Sequence, residues 1–271
     1  MADDFWYHGL FVCPDVDILT YALSKELDDS KGWGLKNDQF LGHQRVSGFG
    51  KSPDWFNLGD RDLALSLRRT ELLGKGWRLS AITDYLGEAV KTAFRVMPAS
   101  NDFLQTFVRT IQGLMHLQEY WVKNRGDLLA NDLEYMGLSS ATANLDAVEA
   151  CSDNVMICPA NPVSSILPIV KLKGFANTLS KARVLAISPF VGDIPFSGPA
   201  AKLMKALGLE ANSFSVAKLY SDWLDVFVVD SKEISTNVKK IEDLGVECRK
   251  MNIRMDPGSE DEIAKEIITA F

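Results

Sequence analysis

Three short apolar runs in the second half of the chain constrain its fold more than any other feature: VMIC at 155–158, VLAIS at 184–188 and VFVVD at 226–230. None alternates between apolar and polar residues, as a strand with one wet face would. Runs of this kind suit parallel strands covered on both faces. A helical pattern follows each of them, and that alternation is the signature of an α/β layer fold. The reading is a Rossmann-like three-layer α/β core.

The first half reads differently. Leu19, Leu23 and Leu27 recur at helical spacing, with no strand before them, and Asp15 and Asp17 stand near the start of that helix. DRDLALSLRRTELLGKG starts with acids and stops at Gly74 and Gly76, and RLSAITDYLGEAV has Ser80 as its N-cap. Past Ala93, the segments AFRVMP, TFVRTIQ and LMHLQEYWV read as strands, the last two as a hairpin. The organisation that follows is residues 1–17 as the start of the core, 18–92 as a mostly helical insertion, and 93–271 as the remainder of the core.

Composition removes several classes of function. The formal net charge of −7 disfavours a general binder of nucleic acid or of anionic membrane, since neither polyanion attracts an acidic surface. No apolar run reaches the ~20 residues of a membrane helix. The four cysteines have no C-x-x-C spacing, which leaves free buried thiols in a reducing cytoplasm as the default and a structural zinc site without support.

Four segments carry most of the chemistry: ADDFWYHGLFVCPDVD, DWFNLGDRD, ICPANPVSS and SPFVGDIPFSGPAAKLM. Taken blandly, Asp15, Asp17 and Asp60 cap helices, Asn57 is a turn residue, Arg61 is solvated, Asn161 opens an Asn-Pro turn and Lys202 faces solvent. Read functionally, the last two segments are loops after strands, where helix N-termini and backbone N–H groups attract phosphates.

The same four segments, in this order, resemble the motifs of the 2-phospho-L-lactate transferase (CofD-like) family, and SKGWG at 30–34 and HLQEYWVKNRG at 116–126 extend the resemblance over the whole chain. The resemblance implies transfer of a phospholactyl or phosphoenolpyruvyl group from a guanosine diphosphate-linked donor to the deazaflavin Fo, with release of GMP, in coenzyme F-420 biosynthesis. It implies a cytoplasmic homodimer that takes small-molecule substrates and uses Mg²⁺. Asp3 and Asp17 match the family's metal-associated, catalytic acids, and Asp17 and Asn57 match its deazaflavin contacts. Arg61, Asn161, Ser164, Ser165, Ser197, Gly198 and Lys202 match its donor and phosphate contacts.

Some positions depart from the family pattern. Cys158 replaces a glycine and is expected to be a packed thiol, Ala160 stands beside it, and Asn101 removes a carboxylate next to Asp102. Trp6, Tyr7 and Trp33 are ring-pocket candidates, while His116 reads as packing. The family's opening strand, glycine-rich loop, helix and second strand are not seen before the Asp3-Asp4 pair. The expectation is therefore a core lacking its first β-α-β unit, on the order of 30 residues. A non-catalytic nucleotide-binding regulator of the same fold, or an inactive fragment, is the alternative. A dinucleotide-dependent oxidoreductase has no G-x-G-x-x-G to support it.

Overall fold

The computed structural model describes residues 2–50, 55–192, 194–196, 198–255, 258–269 and 271. The fold is mixed α/β and divides into two compact units. One comprises residues 1–108, 114–128 and 134–147; the other comprises 109–113, 129–133 and 148–271.

The first unit opens with an antiparallel hairpin, β1 (Phe5–Tyr7) and β2 (Leu10–Val12), where a first helix without a preceding strand was expected. Its two turn residues, His8 and Gly9, both have positive φ, +50° and +76°, which matches the twist of a two-residue hairpin. Helix α1 (Pro14–Leu23) follows at once, with Pro14 in its first turn. It ends four residues before Leu27, because Lys25 takes up a left-handed conformation at φ +62°. After α2 (Leu41–Ser47) come α3 (Asp60–Gly74) and α4 (Leu79–Val90).

Helix α3 closes the edge of β2 with its own side chains. Thr70 Oγ1 accepts the Phe11 N–H at 2.8 Å, and Arg69 Nη1 donates to the Phe11 carbonyl at 3.2 Å. An edge strand is thereby satisfied without a further strand. Apolar packing joins these elements: Phe11, Cys13 and Val16 meet Leu79 and Val96, while Leu72 meets Ile82 and Leu86.

Several sequence expectations in this region are corrected. Ser80 does not cap α4; Arg78 stands at the N-cap, and the amide oxygen of Asn101 accepts the Ser80 N–H at 2.8 Å. AFRVMP forms no strand. Side chains bind this stretch in place of a ladder: Arg95 pairs with Asp84 and Asp146, and Asn144 donates to the Pro98 carbonyl at 3.0 Å. Strands β3 (Gln105–Thr110), β4 (Gly113–His116) and β5 (Ala130–Met136) form a three-stranded sheet with β3 in the middle. The strand expected over LMHLQEYWV stops at His116, and Glu119–Lys123 is a π-helical turn.

The second unit holds the parallel sheet that the apolar runs predict. After α5 (Leu145–Ala150), the strands β6 (Asn154–Ile157), β7 (Arg183–Ile187), β10 (Val226–Asp230) and β11 (Glu247–Met251) pair in that order, every pair parallel. Between them lie α6 (Leu167–Val170), α7 (Phe175–Leu179), the two-residue strands β8 (Phe190–Val191) and β9 (Ile194–Pro195), α8 (Ala200–Ala206), α9 (Ser213–Tyr220) and α10 (Ser235–Glu242). Helix α11 (Glu260–Thr269) ends the chain and packs Ile263 and Ile267 against Leu185, Ile187, Val226 and Val228. The alternate residues Val184, Ala186, Phe227 and Val229 are also buried, so both faces of the sheet are covered.

Candidate active site

A cavity of about 620 Å³ lies within the first unit. That volume suits a cofactor-sized ligand. Its lining includes four acids, Asp3, Asp15, Asp17 and Asp62, the aromatic residues Trp33, Phe56 and Trp121, and Asn57.

Each acid is held by a different neighbour. Asp17, in the first turn of α1, is buried, and both its oxygens accept from the guanidinium of Arg69 on α3, which is itself only 1% exposed. Burial raises the pKa of Asp17, and the Arg69 charge pulls it back down. Asp3, 6% exposed, accepts from Gln118 Nε2 at 2.6 Å through one oxygen, while its Oδ1 is buried with no hydrogen-bond partner among the described residues. The pKa of Asp15 is pushed well above the carboxylate range, first by desolvation and then by the Asp3 carboxylate that shares a hydrogen bond with it. Asp62 accepts from the Tyr21 hydroxyl and from the Gly59 N–H, yet burial still lifts its pKa to about 6. Behind the lining, Asp4 is buried and its pKa is lifted to about 7 by desolvation.

The remaining wall comes from the π-helical turn. That turn carries Trp121 and Val122 in the lining, with Gln118 just before it and Arg125 just after. Local widening of a helix by one residue is common at functional sites, where it re-aims side chains. Gly126 makes the arrangement possible: its φ is +63°, and a Cβ there would sit 3.0 Å from the Trp121 ring. Any larger residue would displace the aromatic wall.

The structure thus brings Asp3, Asp17 and Asn57 into one cavity, together with Trp33. Of the other aromatics considered, Trp6 is 55% exposed and Tyr7 is buried in a cluster with Phe5, Val12 and Leu58; neither lines the cavity. Arg61 lies outside the lining, in an exposed ion pair with Glu26. Asn101 and Asp102 serve the backbone: Asp102 accepts the Thr142 N–H and hydroxyl at 2.7 and 2.8 Å. His116 packs edge-on against Phe107, and burial lowers its pKa.

The other predicted residues belong to the second unit. Asn161 follows β6 and caps the π-helical turn Pro162–Ile166; its amide oxygen accepts from the N–H groups of Val163 and Ser164 at 3.1 and 3.2 Å. Ser164 is buried and Ser165 half-buried. Cys158 is exposed at the end of β6, not packed as expected, and of the four thiols only Cys13 is fully buried. Gly198 has φ +65°, Pro199 is the N-cap of α8, and Lys202 lies in that helix's first turn. Ser197 lies outside the described residues.

Sequence reasoning missed Gln118, Phe56, Trp121 and Arg125, and took Asp15 only as a helix-start residue. The motif HLQEYWVKNRG was the one available signal for three of them.

The acid cluster fits a divalent cation. Two carboxyls that share a hydrogen bond in a buried site need a proton or a cation between them, and Oδ1 of Asp3 is buried with no hydrogen-bond partner among the described residues. No three Asp, Glu, His or Cys side chains among the described residues converge as a complete metal cage. Mg²⁺ does not require one, because one or two carboxylates with substrate phosphates and water suffice. No helix among the described residues is long and apolar enough to cross a membrane.

Comparison with known proteins adds a second line of argument. Residues 1–270 match the family described as 2-phospho-L-lactate transferase CofD. A 2-phospho-L-lactate transferase of Methanosarcina acetivorans is 39% identical over 86% of this chain and 76% of its own length. One from Methanosarcina mazei is 34% identical over 100% of this chain and 89% of its own. A phosphoenolpyruvate transferase of Streptomyces griseus is 35% identical over 94% of this chain and 82% of its own. Among solved structures, a member of the UPF0052 family from Bacillus halodurans superposes with a TM-score of 0.63 at 14% identity, covering 98% of this chain and 88% of that one, which shows a shared fold.

Proposed function

The chain belongs to the 2-phospho-L-lactate transferase CofD family, transferases of coenzyme F-420 biosynthesis, and on that premise we propose the reaction and its residues. The donor is a guanosine diphosphate-linked three-carbon acid, lactyl or enolpyruvyl, and the acceptor is the deazaflavin Fo. One observation carries the reading: a buried acid cluster and the aromatic side chains of Trp33, Phe56 and Trp121 line the same cavity. A flat ring bearing a hydroxylated chain suits that pairing, with stacking on Trp33, Phe56 or Trp121 and the amide of Asn57 for a ring carbonyl.

In the proposed step the acceptor hydroxyl attacks the phosphorus of the three-carbon acid's phosphate. A new P–O bond forms, the P–O bond to GMP breaks, and the product is a phosphodiester. Asp3 and Asp17 are the residues proposed to hold Mg²⁺, which when bound neutralises diphosphate oxygens. Asp17 also orients the attacking hydroxyl and takes its proton. Arg69 occupies one lone pair on each Asp17 oxygen. Asn161, Ser164, Ser165, Ser197, Gly198 and Lys202 are proposed for the donor's nucleotide and phosphates.

The test is turnover with Fo, the guanosine diphosphate-linked acid and Mg²⁺, read by mass spectrometry as GMP and the deazaflavin diester. GDP binding without Fo binding or GMP release would instead favour a nucleotide-binding regulator. Asp3→Asn is the informative variant, because the side chains bonded to Asp3 are the neutral Gln118 and the acid Asp15, so no buried cation is stranded. It is expected to abolish turnover and leave thermal unfolding within a few degrees of the parent.

A further inference from the structure

The cavity lining contains four carboxylates and one cation, Arg125. Arg69 stands behind the lining and is committed to Asp17. Other arginines are also committed: Arg61 to Glu26, Arg68 to Glu71, Arg95 to Asp84 and Asp146. Arg125 is exposed, and its side chain makes no ion pair or hydrogen bond among the described residues.

Its backbone is strained. Arg125 has φ +53°, a left-handed conformation that costs a non-glycine residue about 1 kcal/mol or more. The loop imposes it. Gly126 N donates to the Tyr120 carbonyl at 2.9 Å and Asp127 N to the Asn124 carbonyl at 2.9 Å. The hydroxyl of fully buried Tyr120 donates toward the carbonyls of Gly126 and Leu128, at 3.3 and 3.0 Å. A cation held at the cavity wall by an over-determined, strained turn is a pattern of ligand clamps.

The donor supplies two anionic groups to be matched. Its diphosphate suits the acids with Mg²⁺ between; its carboxylate has no counterpart there. We propose that Arg125 holds the carboxylate of the donor's three-carbon acid, an assignment that rests on the transferase reading above. A planar guanidinium fork matches a carboxylate through two parallel hydrogen bonds, which makes Arg125 a determinant of donor choice.

Titration calorimetry without acceptor tests this directly, using the guanosine diphosphate-linked acid and GDP as separate probes. Arg125→Gln is expected to weaken binding of the acid-bearing donor roughly tenfold to a hundredfold, with GDP affinity unchanged within about twofold. Arg125→Lys should recover part of the loss by restoring charge without the fork. Equal loss for both probes would assign Arg125 to the diphosphate and overturn the proposal, as would no loss for either. Donor binding is measured apart from turnover. If the parent binds the donor but releases no GMP with Fo, the transferase reading fails while the Arg125 result still stands.

Discussion

Replacing Arg69 by methionine should be far more damaging than its place in a charged, helix-forming stretch suggests. Arg69 is 1% exposed, pairs with both oxygens of Asp17 and donates to the Phe11 carbonyl. Methionine fills much of the volume but strands a buried carboxylate. Breaking a buried pair from one side costs about 3–5 kcal/mol, a large part of the ~5–15 kcal/mol by which a typical domain is stable. At roughly 2–4 °C per kcal/mol for a domain of this size class, unfolding should move down by roughly 6–20 °C. Differential scanning calorimetry reads it. The double variant Arg69→Met with Asp17→Asn removes both charges and should recover about 1–3 kcal/mol of the loss, because a neutral pair needs no counterion. Asp17→Asn alone strands Arg69 and should unfold earlier than the double. A drop under about 2 °C for Arg69→Met, or a double variant no more stable than either single one, would refute the argument that the two charges depend on each other.

Two other expectations follow from single residues. Asp62 holds its proton up to about pH 6 in the folded chain, against 3.8 for an ordinary aspartate, so the folded state binds more protons across that window and stability should fall as pH rises through it. The contribution is of order 2–3 kcal/mol; melting temperature followed from pH 4 to 7 should lose that component in Asp62→Asn, and an unchanged slope would remove the cause. Gly126→Ala meets both the left-handed backbone and the Trp121 ring, so it should cost about 1–2 kcal/mol and shift Trp121 fluorescence, whereas a parent-like spectrum and melting temperature would show the turn to be tolerant.

Both what the sequence reveals and what it hides have physical causes. The parallel sheet was legible because strands covered on both faces leave unbroken apolar runs, as Val226, Phe227, Val228 and Val229 do. Helix α3 shows the converse. Its buried positions include Asp62, Ser66, Arg69 and Leu72, so hydrophobic periodicity gives no hint that this stripe faces inward. The π-helical turn was hidden because Tyr120, Trp121 and Val122 suit strands by composition, and only hydrogen bonding to the Gly126 loop turns them into a helical bulge. Asp3, Asp17 and Asn57 were found through motif resemblance, since spacing alone gives helix caps and turns.

The partners that make the acids workable lie far away along the chain. Gln118 is 115 residues from Asp3, Arg69 is 52 from Asp17, and Asp62 is 41 from Tyr21. The neighbours of Asp17, Asp15 and Asp62 act differently on proton affinity. A guanidinium favours the ionised acid; a shared carboxyl hydrogen bond favours a retained proton; a phenol hydroxyl only partly offsets burial. Asp15, Asp17 and Asp62 in one cavity therefore become three different groups, and the differences come from tertiary contacts that no local pattern encodes. Of the four lining acids, Asp3 keeps a buried oxygen without a hydrogen-bond partner among the described residues, as does Asp4 beside it. An unsatisfied buried carboxylate oxygen is costly in a folded protein, so its retention beside three other acids is best explained by a ligand that completes it.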